Sequence, residues 1–150
     1  MQLTSRGRYA VSAMVDLAKH QDEGPVTLAS ISERQFISLS YLEQLFRKLR
    51  ENELVTSVRG PGGGYRLAKA PSEITISDIM YAVNEEVQTT LCKSEEVGCH
   101  RGSRCETHHL WAALGQHIRF FLETVTIEDV CLAKDFLHTL KAVEKTLSHQ

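Results

Sequence analysis

Apolar residues recur at helical spacing in three successive segments near the start of the chain. The segments are residues 4–20, residues 28–35 and, after a turn at 36–40, a stretch that ends near residue 52. Side chains that repeat every three or four positions form one face of a helix, so the pattern predicts three helices. Capping residues are predicted at Thr4 or Ser5, at Thr27, at Ser40 with Glu43, and further along at Thr75 with Asp78 and Thr126 with Asp129.

The period changes after the third helix. Residues 54–58 and 65–67 are short and β-prone, and between them stands the glycine-rich stretch RGPGGG, residues 59–64. This arrangement predicts two strands joined by a glycine-tipped turn. Three helices followed by such a hairpin is the order of elements in a winged helix-turn-helix.

The rest of the chain is predicted to be helical around one loop. Residues 75–84 form a short helix, residues 87–104 lack a helical period, and residues 107–124 form a long helix. A last helix begins near residue 126 and carries apolar residues as far as Val143. We therefore predict a mainly α fold with a small β-hairpin wing, in which a winged helix-turn-helix domain is joined to a long dimerisation helix.

Length and composition are those of an ordinary globular chain. The 150 residues are 42% hydrophobic and 24% charged, which excludes a mostly disordered chain and a disulfide-dense miniprotein. No apolar run approaches the ~20 residues of a membrane span, and no secretory signal is recognisable, so we expect a cytoplasmic protein without a membrane partner. The expected division is a winged helix-turn-helix domain (1–70), a connecting helix (71–91), a cysteine-bearing loop (92–108) and the dimerisation and C-terminal helices (107–150).

Charge is distributed unevenly between the two parts of the chain. Residues 1–70 hold ten Lys and Arg against seven Asp and Glu, whereas residues 71–150 hold seven against twelve. A positive first part suggests a module that faces a polyanion. In a helix-turn-helix the second helix of the pair enters the major groove of DNA. The predicted DNA-binding residues of that helix are Ser38, Ser40, Tyr41, Glu43, Gln44, Arg47 and Arg50. A plain helix start would also account for Ser40 and Glu43.

The glycine-rich turn offers a second contact with DNA. Arg59 stands beside Gly60 and Pro61, so its guanidinium lies on a thin finger with few side chains, which fits a narrow minor groove. The purely structural alternative is a tight turn that needs glycine for its backbone conformation. The stretch is not followed by Lys-Ser or Lys-Thr and does not open a helix, which excludes a Walker loop and a dinucleotide fingerprint.

Three of the four cysteines fall within fourteen positions of the predicted loop. These are Cys92, Cys99 and Cys105, and His108 and His109 follow directly. In a reducing compartment such a group indicates a metal before a disulfide. The wide intervals favour an iron–sulfur cluster and zinc about equally, with a redox-active thiol pair third. His100 and His109 are alternative ligands, and Cys131 is predicted to be a buried small hydrophobe.

The long helix carries a stripe that is too apolar for an isolated exposed helix. Its members are Trp111, Leu114, Ile118, Phe121 and Val125. Packing within the same chain would explain the stripe. The functional alternative is a helix pairing between two subunits, which would match the palindromic operators that helix-turn-helix dimers bind.

Three motifs resemble the bacterial IscR family of iron–sulfur cluster regulators. They are LTSRGRYAV at residues 3–11, ISLSYLEQLF at 37–46 and VRGPGGGY at 58–65. The cysteine loop with CETH at 105–108, and the tryptophan-bearing helix after it, extend the likeness to about residue 130. The resemblance implies a homodimeric, nucleoid-associated transcription factor that senses cluster supply and mainly represses the genes of cluster assembly.

The resemblance also implies one [2Fe-2S] cluster per subunit, supplied by a cluster-assembly scaffold. Carried over by position, its ligands are Cys92, Cys99, Cys105 and His108. Glu43 is implied as the residue that lets the cluster-free and loaded forms discriminate between operator classes.

The chain departs from the family pattern at several positions. The interval between Cys92 and Cys99 is one residue longer than in the best-known members, and Phe36 and Glu53 stand where glycines are usual. Phenylalanine at a positive φ would be strained, so a different turn is expected there. The competing functions are a zinc-stabilised repressor, a thiol-sensing or nitric-oxide-sensing repressor and an iron–sulfur electron carrier. No pattern of catalytic residues points to an enzyme.

Overall fold

A computed structural model describes residues 3–87, 89, 105–133 and 136 of the chain. Its elements, in chain order, are α1 (Ser5–His20), α2 (Leu28–Gln35), α3 (Leu39–Glu51), β1 (Val55–Val58), β2 (Gly64–Leu67), α4 (Ile76–Ala82), α5 (His108–Thr124) and α6 (Ile127–Cys131). The predicted mainly helical fold with a β-hairpin wing is confirmed. No helix in these described ranges is long and apolar enough to cross a membrane.

The three N-terminal helices form where the apolar spacing predicts them. Their inward faces supply the largest fully buried side chains, among them Phe46, Met14, Leu17, Ile31 and Leu42. The predicted cap at Thr27 is confirmed, because its hydroxyl accepts a hydrogen bond from the amide of Ser30 at 3.2 Å.

Strands β1 and β2 pair in antiparallel register, with Val55 opposite Leu67 and Val58 opposite Gly64. The hairpin is attached to the helices in two ways. The backbones of Val26 and Tyr65 exchange two hydrogen bonds of 2.7 and 2.9 Å, and the rings of Tyr65 and Phe46 pack edge to face at 5.0 Å. The wing is therefore fixed relative to α3.

One core runs through the first three helices and α4. Ile74, Ile79 and Val83, in and around α4, are fully buried in the same cluster as the inward faces of α1 and α3. Val125 and Ile127 join this cluster from the end of α5 and the start of α6. The described residues on both sides of position 70 consequently share their apolar packing.

The last described helix is shorter than its sequence pattern predicts. The capping box of Thr126 and Asp129 is confirmed, with hydrogen bonds of 3.0 and 3.2 Å. However, α6 ends at Cys131, and Ala133 follows with a φ of 49°, which interrupts the helix. The rest of the predicted helix, with Leu137, Leu140 and Val143, lies outside the described residues.

Candidate nucleic-acid interface and metal-binding segment

Helix α3 begins two residues earlier than predicted. Ser38 is its N-cap, and the Ser38 hydroxyl accepts a hydrogen bond from the amide of Tyr41 at 3.3 Å. The predicted capping box of Ser40 and Glu43 is therefore wrong, because Ser40 already lies within the helix. This leaves the side chains of Ser40 and Glu43 free of a capping role, and both are exposed.

The predicted base-reading side chains occupy the outer surface of α3. Ser38, Ser40, Glu43, Gln44 and Arg47 are all exposed. Tyr41 differs, because it is half-buried and its ring packs edge to face on Tyr9, with centroids 6.0 Å apart. The exposed group is polar, and it is carried on a helix whose opposite face is fully buried.

The basic residues around this surface are also exposed. Arg47 and Arg50 lie on α3 and Arg59 lies at the start of the wing turn. Within the described ranges, none of the three forms a salt bridge. Their charges are thus available to phosphate groups, which supply most of the electrostatic affinity of a protein for DNA.

Each glycine of the wing turn has a structural reason of its own. Gly60 and Gly62 have φ values of 98° and 73°, which side chains rarely adopt. A Cβ atom at Gly63 would lie 2.8 Å from the Gly60 carbonyl oxygen, and one at Gly64 would collide with the Val26 backbone. The glycine run is consequently explained by the turn, and the support for a DNA contact comes from the exposed side chain of Arg59.

A surface cleft of about 450 Å³ separates the beginning of α1 from α3. Its lining includes Thr4, Arg6, Tyr41, Gln44 and Lys48. The start of α1 is therefore a direct neighbour of the predicted reading helix, and two cationic side chains face the space between them.

Glu85 holds the start of α1 in place, a role that the sequence analysis missed. Its carboxylate is buried and accepts hydrogen bonds from the Thr4 amide at 2.9 Å, from the Thr4 hydroxyl and from Arg6 Nε at 3.4 Å. Gly7 makes this approach possible, because a Cβ atom there would lie 2.8 Å from Glu85 Cγ. The segment after α4 is thereby tied to the N-terminus of α1, where a negative charge is favourable.

Replacing Glu85 with glutamine is expected to lower the free energy of unfolding by about 1.5 kcal/mol at neutral pH. Burial alone would raise the pKa of Glu85, but the hydrogen bonds from Thr4 and Arg6 outweigh it and hold the pKa below its ordinary value of 4.5. The carboxylate therefore contributes its full stabilisation above 4.5 and loses it as the pH falls through the lowered pKa of the folded state.

Urea unfolding of both proteins as a function of pH measures this effect. The stability gap between the wild type and Glu85→Gln should narrow steadily as the pH drops below 4.5. A stability gap that stays constant through the acidic range would contradict this role of Glu85. Glu51→Gln, at an exposed position at the end of α3, serves as the control.

A second buried carboxylate joins α1 to α2. Asp16 is 3% exposed and receives hydrogen bonds from Arg34 Nε and Nη2 at 3.0 and 2.7 Å and from Gln35 Nε2 at 2.9 Å. His20 Nδ1 lies 3.5 Å from the same carboxylate. Burial raises the pKa of Asp16, but the bonds from Arg34 and Gln35 offset it and lower the pKa overall. The first helix of the helix-turn-helix is thereby fixed in orientation.

Two of the four predicted metal ligands lie in the described part of the chain. Cys105 is half-buried, and its carbonyl oxygen accepts a hydrogen bond from the His108 amide at 3.0 Å, in the turn that starts α5. Cys92 and Cys99 lie outside the described residues, as does His100. Within the described ranges no group of three metal-ligating side chains is assembled.

The start of the cysteine segment is attached to α5. The Thr89 hydroxyl donates a hydrogen bond to the Trp111 carbonyl oxygen at 2.8 Å. Gly115, which is buried, allows this contact, because a Cβ atom there would collide with the Thr89 hydroxyl. Both ends of the segment that contains Cys92 and Cys99 therefore converge on the first half of α5.

Cys131 lies apart from this group. It is half-buried against the core, and burial raises the pKa of its thiol. A thiol of this kind is a poor thiolate donor. The prediction that Cys131 is buried is wrong in degree, because the residue packs against the core but is only half-buried.

The apolar stripe of α5 divides into an exposed and a buried part. Trp111 and Leu114 are 43% and 38% exposed, and Ile118 is half-buried. Phe121 packs against the core of its own chain, and Val125 is 4% exposed. The prediction that Val125 faces a partner subunit is therefore wrong, because the residue follows the end of α5 and is covered by its own chain. Leu110 and Phe120, which the sequence analysis did not include, are 60% and 48% exposed.

Comparison with known proteins gives concordant results. The model of the Rrf2 family, described as iron-dependent transcriptional regulators, matches residues 3–133. The HTH-type transcriptional regulator IscR of Photorhabdus laumondii is 58% identical over 130 residues, which covers 87% of this chain and 79% of the relative. Among solved structures, T. potens IscR has a TM-score of 0.73 at 36% identity and covers 90% of this chain and 89% of its own. CymR, the global cysteine regulator of B. subtilis, has a TM-score of 0.76 at 32% identity and covers 90% and 99%.

Proposed function

Because the chain belongs to the Rrf2 family of winged-helix, DNA-binding transcriptional regulators, we propose that it senses iron–sulfur cluster supply through a bound [2Fe-2S] cluster. In this proposal the loaded protein acts at the nucleoid as a homodimer and mainly represses the genes of cluster assembly. The chain is a regulator and not an enzyme. The observation that carries the sensing proposal is that the two described ends of the cysteine segment, at Thr89 and Cys105, both lie at the first half of α5.

The described donors fit an iron–sulfur centre. A thiol at Cys105 and an imidazole at His108 lie within one turn of backbone, and sulfur and imidazole ligands suit iron–sulfur clusters. Cys92 is three residues from Thr89, a length that spans at most about 11 Å. Thr89 is hydrogen-bonded to Trp111, which lies about one helical turn after His108. This length of chain is therefore sufficient for Cys92 to reach the end of α5 that carries His108. Cys99 completes the proposed set of four.

Base reading is assigned to the exposed polar side chains of α3. Gln44 can form a bidentate pair with adenine, and Glu43 can accept a hydrogen bond from cytosine. Arg47 and Arg50 supply charge next to them, and Arg59 with Gly60 and Pro61 enters the minor groove from the wing. Two copies of this surface would read a palindromic operator if the exposed part of the α5 stripe, formed by Trp111, Leu114 and Ile118, pairs about a two-fold axis.

The proposed cluster site and the DNA-reading surface of α3 are proposed to communicate through the ends of the cysteine segment. A bound cluster supplies the bonding energy that orders this segment. Thr89 then holds α5, while Glu85 holds Thr4 and Arg6 at the start of α1, next to α3. Operator affinity changes only if the cluster has different binding free energies in the two conformations. Glu43 is proposed to be the residue that makes the choice between operator classes depend on whether the cluster is bound.

Anaerobic purification, a visible spectrum and assays of iron and acid-labile sulfide test the cluster. The wild type and Cys131→Ser should be coloured and contain sulfide, whereas Cys105→Ser and His108→Ala should lose most of the cluster. Exposed His117→Ala is the matched control for His108. A colourless wild type that contains zinc would overturn the proposal in favour of a zinc-stabilised repressor, and one that contains no metal would favour a thiol sensor. An electron carrier would show the cluster but no salt-dependent binding to duplex DNA.

Cluster control of DNA binding is tested on duplexes recovered by footprinting the region upstream of the gene. Loaded wild type should bind at least one operator class about tenfold more tightly than Cys105→Ser, a coupling typical of allosteric proteins. Equal affinities on every operator would exclude cluster control while leaving DNA binding intact.

A further inference from the structure

Phe36 occupies an unfavourable position in two respects. It ends α2 in the left-handed conformation, with φ 55° and ψ 39°, where glycine is the usual residue. The expectation that the turn would avoid this conformation is wrong. The side chain is also 92% exposed, the highest exposure among the large hydrophobic residues of the described ranges. Within the described chain this phenyl ring therefore contributes no packing that would offset the backbone strain.

The position of the ring relative to α3 is fixed by its neighbour. Ile37 is 4% exposed and, with Leu42, occupies the positions of a hydrophobic staple around the Ser38 cap. The Ser32 hydroxyl donates a hydrogen bond to the Ile37 carbonyl oxygen at 2.6 Å. While Ile37 is held inward, the residue before it lies at the surface, two positions ahead of the Ser38 cap of the reading helix.

Phe36 is not the only apolar residue at this end of α3. Leu39, the first residue of the helix, is 43% exposed. We call Phe36 and Leu39 the turn patch. The residues that continue from it along the outer surface of α3 are the exposed polar ones, Ser40, Glu43 and Gln44. The turn patch is thus continuous with the surface assigned to base reading.

We propose that Phe36 is a specificity-determining residue that contacts the methyl group of a thymine in the operator. This inference rests on the proposed reading role of α3. Of the groups that base edges present in the major groove, the thymine methyl is the apolar one, and phenylalanine is among the side chains that contact it. The structure, which contains no DNA, shows the ring 92% exposed at the entrance of the reading helix. In the proposed complex the DNA would cover it. Leu39 would extend the same contact.

The test combines a variant of Phe36 with operators that each lack one thymine methyl group. Each thymine of a footprinted operator is replaced in turn by deoxyuridine, which removes the methyl group and keeps the base pair. For wild type, at least one replacement should weaken binding about three- to fivefold, the effect of burying one methyl group. In Phe36→Gly that replacement should have no effect, and the parent operator should bind about three- to fivefold more weakly than it binds to wild type.

Phe36→Gly is also expected to be more stable than wild type, because glycine accepts the left-handed conformation without strain. A rise in melting temperature together with a loss of affinity separates a DNA contact from a structural role. Phe36→Leu is the control and should keep most of the methyl effect. Equal deoxyuridine effects in wild type and Phe36→Gly would overturn the inference, as would unchanged DNA binding with impaired transcription, which would indicate a polymerase contact. Failure of wild type to bind any duplex would instead overturn the proposed function.

Discussion

Replacing Asp16 with alanine is expected to lower the free energy of unfolding by about 2–3 kcal/mol. The change removes a fully buried carboxylate that accepts two charged hydrogen bonds from Arg34 and one from Gln35. Breaking one side of a buried ion pair typically costs about 3–5 kcal/mol. The lower value is expected here because the Arg34 side chain is 35% exposed and can recover hydration. Urea unfolding followed by circular dichroism measures the difference.

The Asp16→Ala variant should also bind the operator more weakly than its lower folding stability alone would cause. The network joins α1 to α2, and α2 sets the orientation of α3 through the Phe36 turn. Asp22→Ala removes an exposed carboxylate close by and serves as the control. If the two variants unfold at the same urea concentration, the network does not stabilise the fold as described.

Replacing Gly64 with alanine is expected to destabilise the protein by about 2–4 kcal/mol. The added Cβ would collide with the backbone of Val26, and a collision that packing must relieve costs about 1–3 kcal/mol. A further 1 kcal/mol or so comes from the φ of 155°, which disfavours a side chain. The two hydrogen bonds between Val26 and Tyr65 are the contacts at risk, so the hairpin should separate from the helices.

Gly62→Ala separates backbone strain from collision within the same turn. Gly62 has a φ of 73° but nothing within 4 Å of the position of a Cβ atom. This variant should cost only about 1 kcal/mol. Operator affinity should fall about tenfold or more for Gly64→Ala and much less for Gly62→Ala, because only the former displaces Arg59 with the whole wing. Comparable losses in both variants would show that the attachment of the wing to Val26 is unimportant.

Local signals in the sequence were sufficient for most of the fold. Apolar periodicity located both ends of α1 to α5 within two residues and the start of α6, but it placed the end of α6 too late. The capping boxes that start α4 and α6 were both confirmed, because each depends on residues only three positions apart. The hairpin was likewise located by its glycine-rich turn. The helix α3 was the exception, since Ser38 and Ser40 both precede suitable residues and only the structure shows which one caps the helix.

Long-range contacts could not be predicted in the same way. The partners Asp16 and Arg34 are 18 residues apart, and Thr4 and Glu85 are 81 residues apart, so no local pattern indicates their pairing. Charged residues are usually solvated, and a sequence gives no reason to bury these two. Val125 shows the same limit, because its spacing fits the apolar stripe although the helix ends just before it. The residues proposed to bind DNA and metal were identified by chemistry and resemblance, and their roles remain predictions.

The junction between α5 and α6 is hydrogen-bonded to the segment that starts α4. The Ile76 amide donates to the Val125 carbonyl oxygen, and the Ile127 amide donates to the Ile74 carbonyl oxygen, both at 2.9 Å. This small bridge fastens the C-terminal end of α5 to the core, whereas Cys105 and His108 lie at the opposite end of a helix of 17 residues, about 25 Å away. A tilt of α5 by about ten degrees about this bridge would displace the end that carries His108 by about 4 Å.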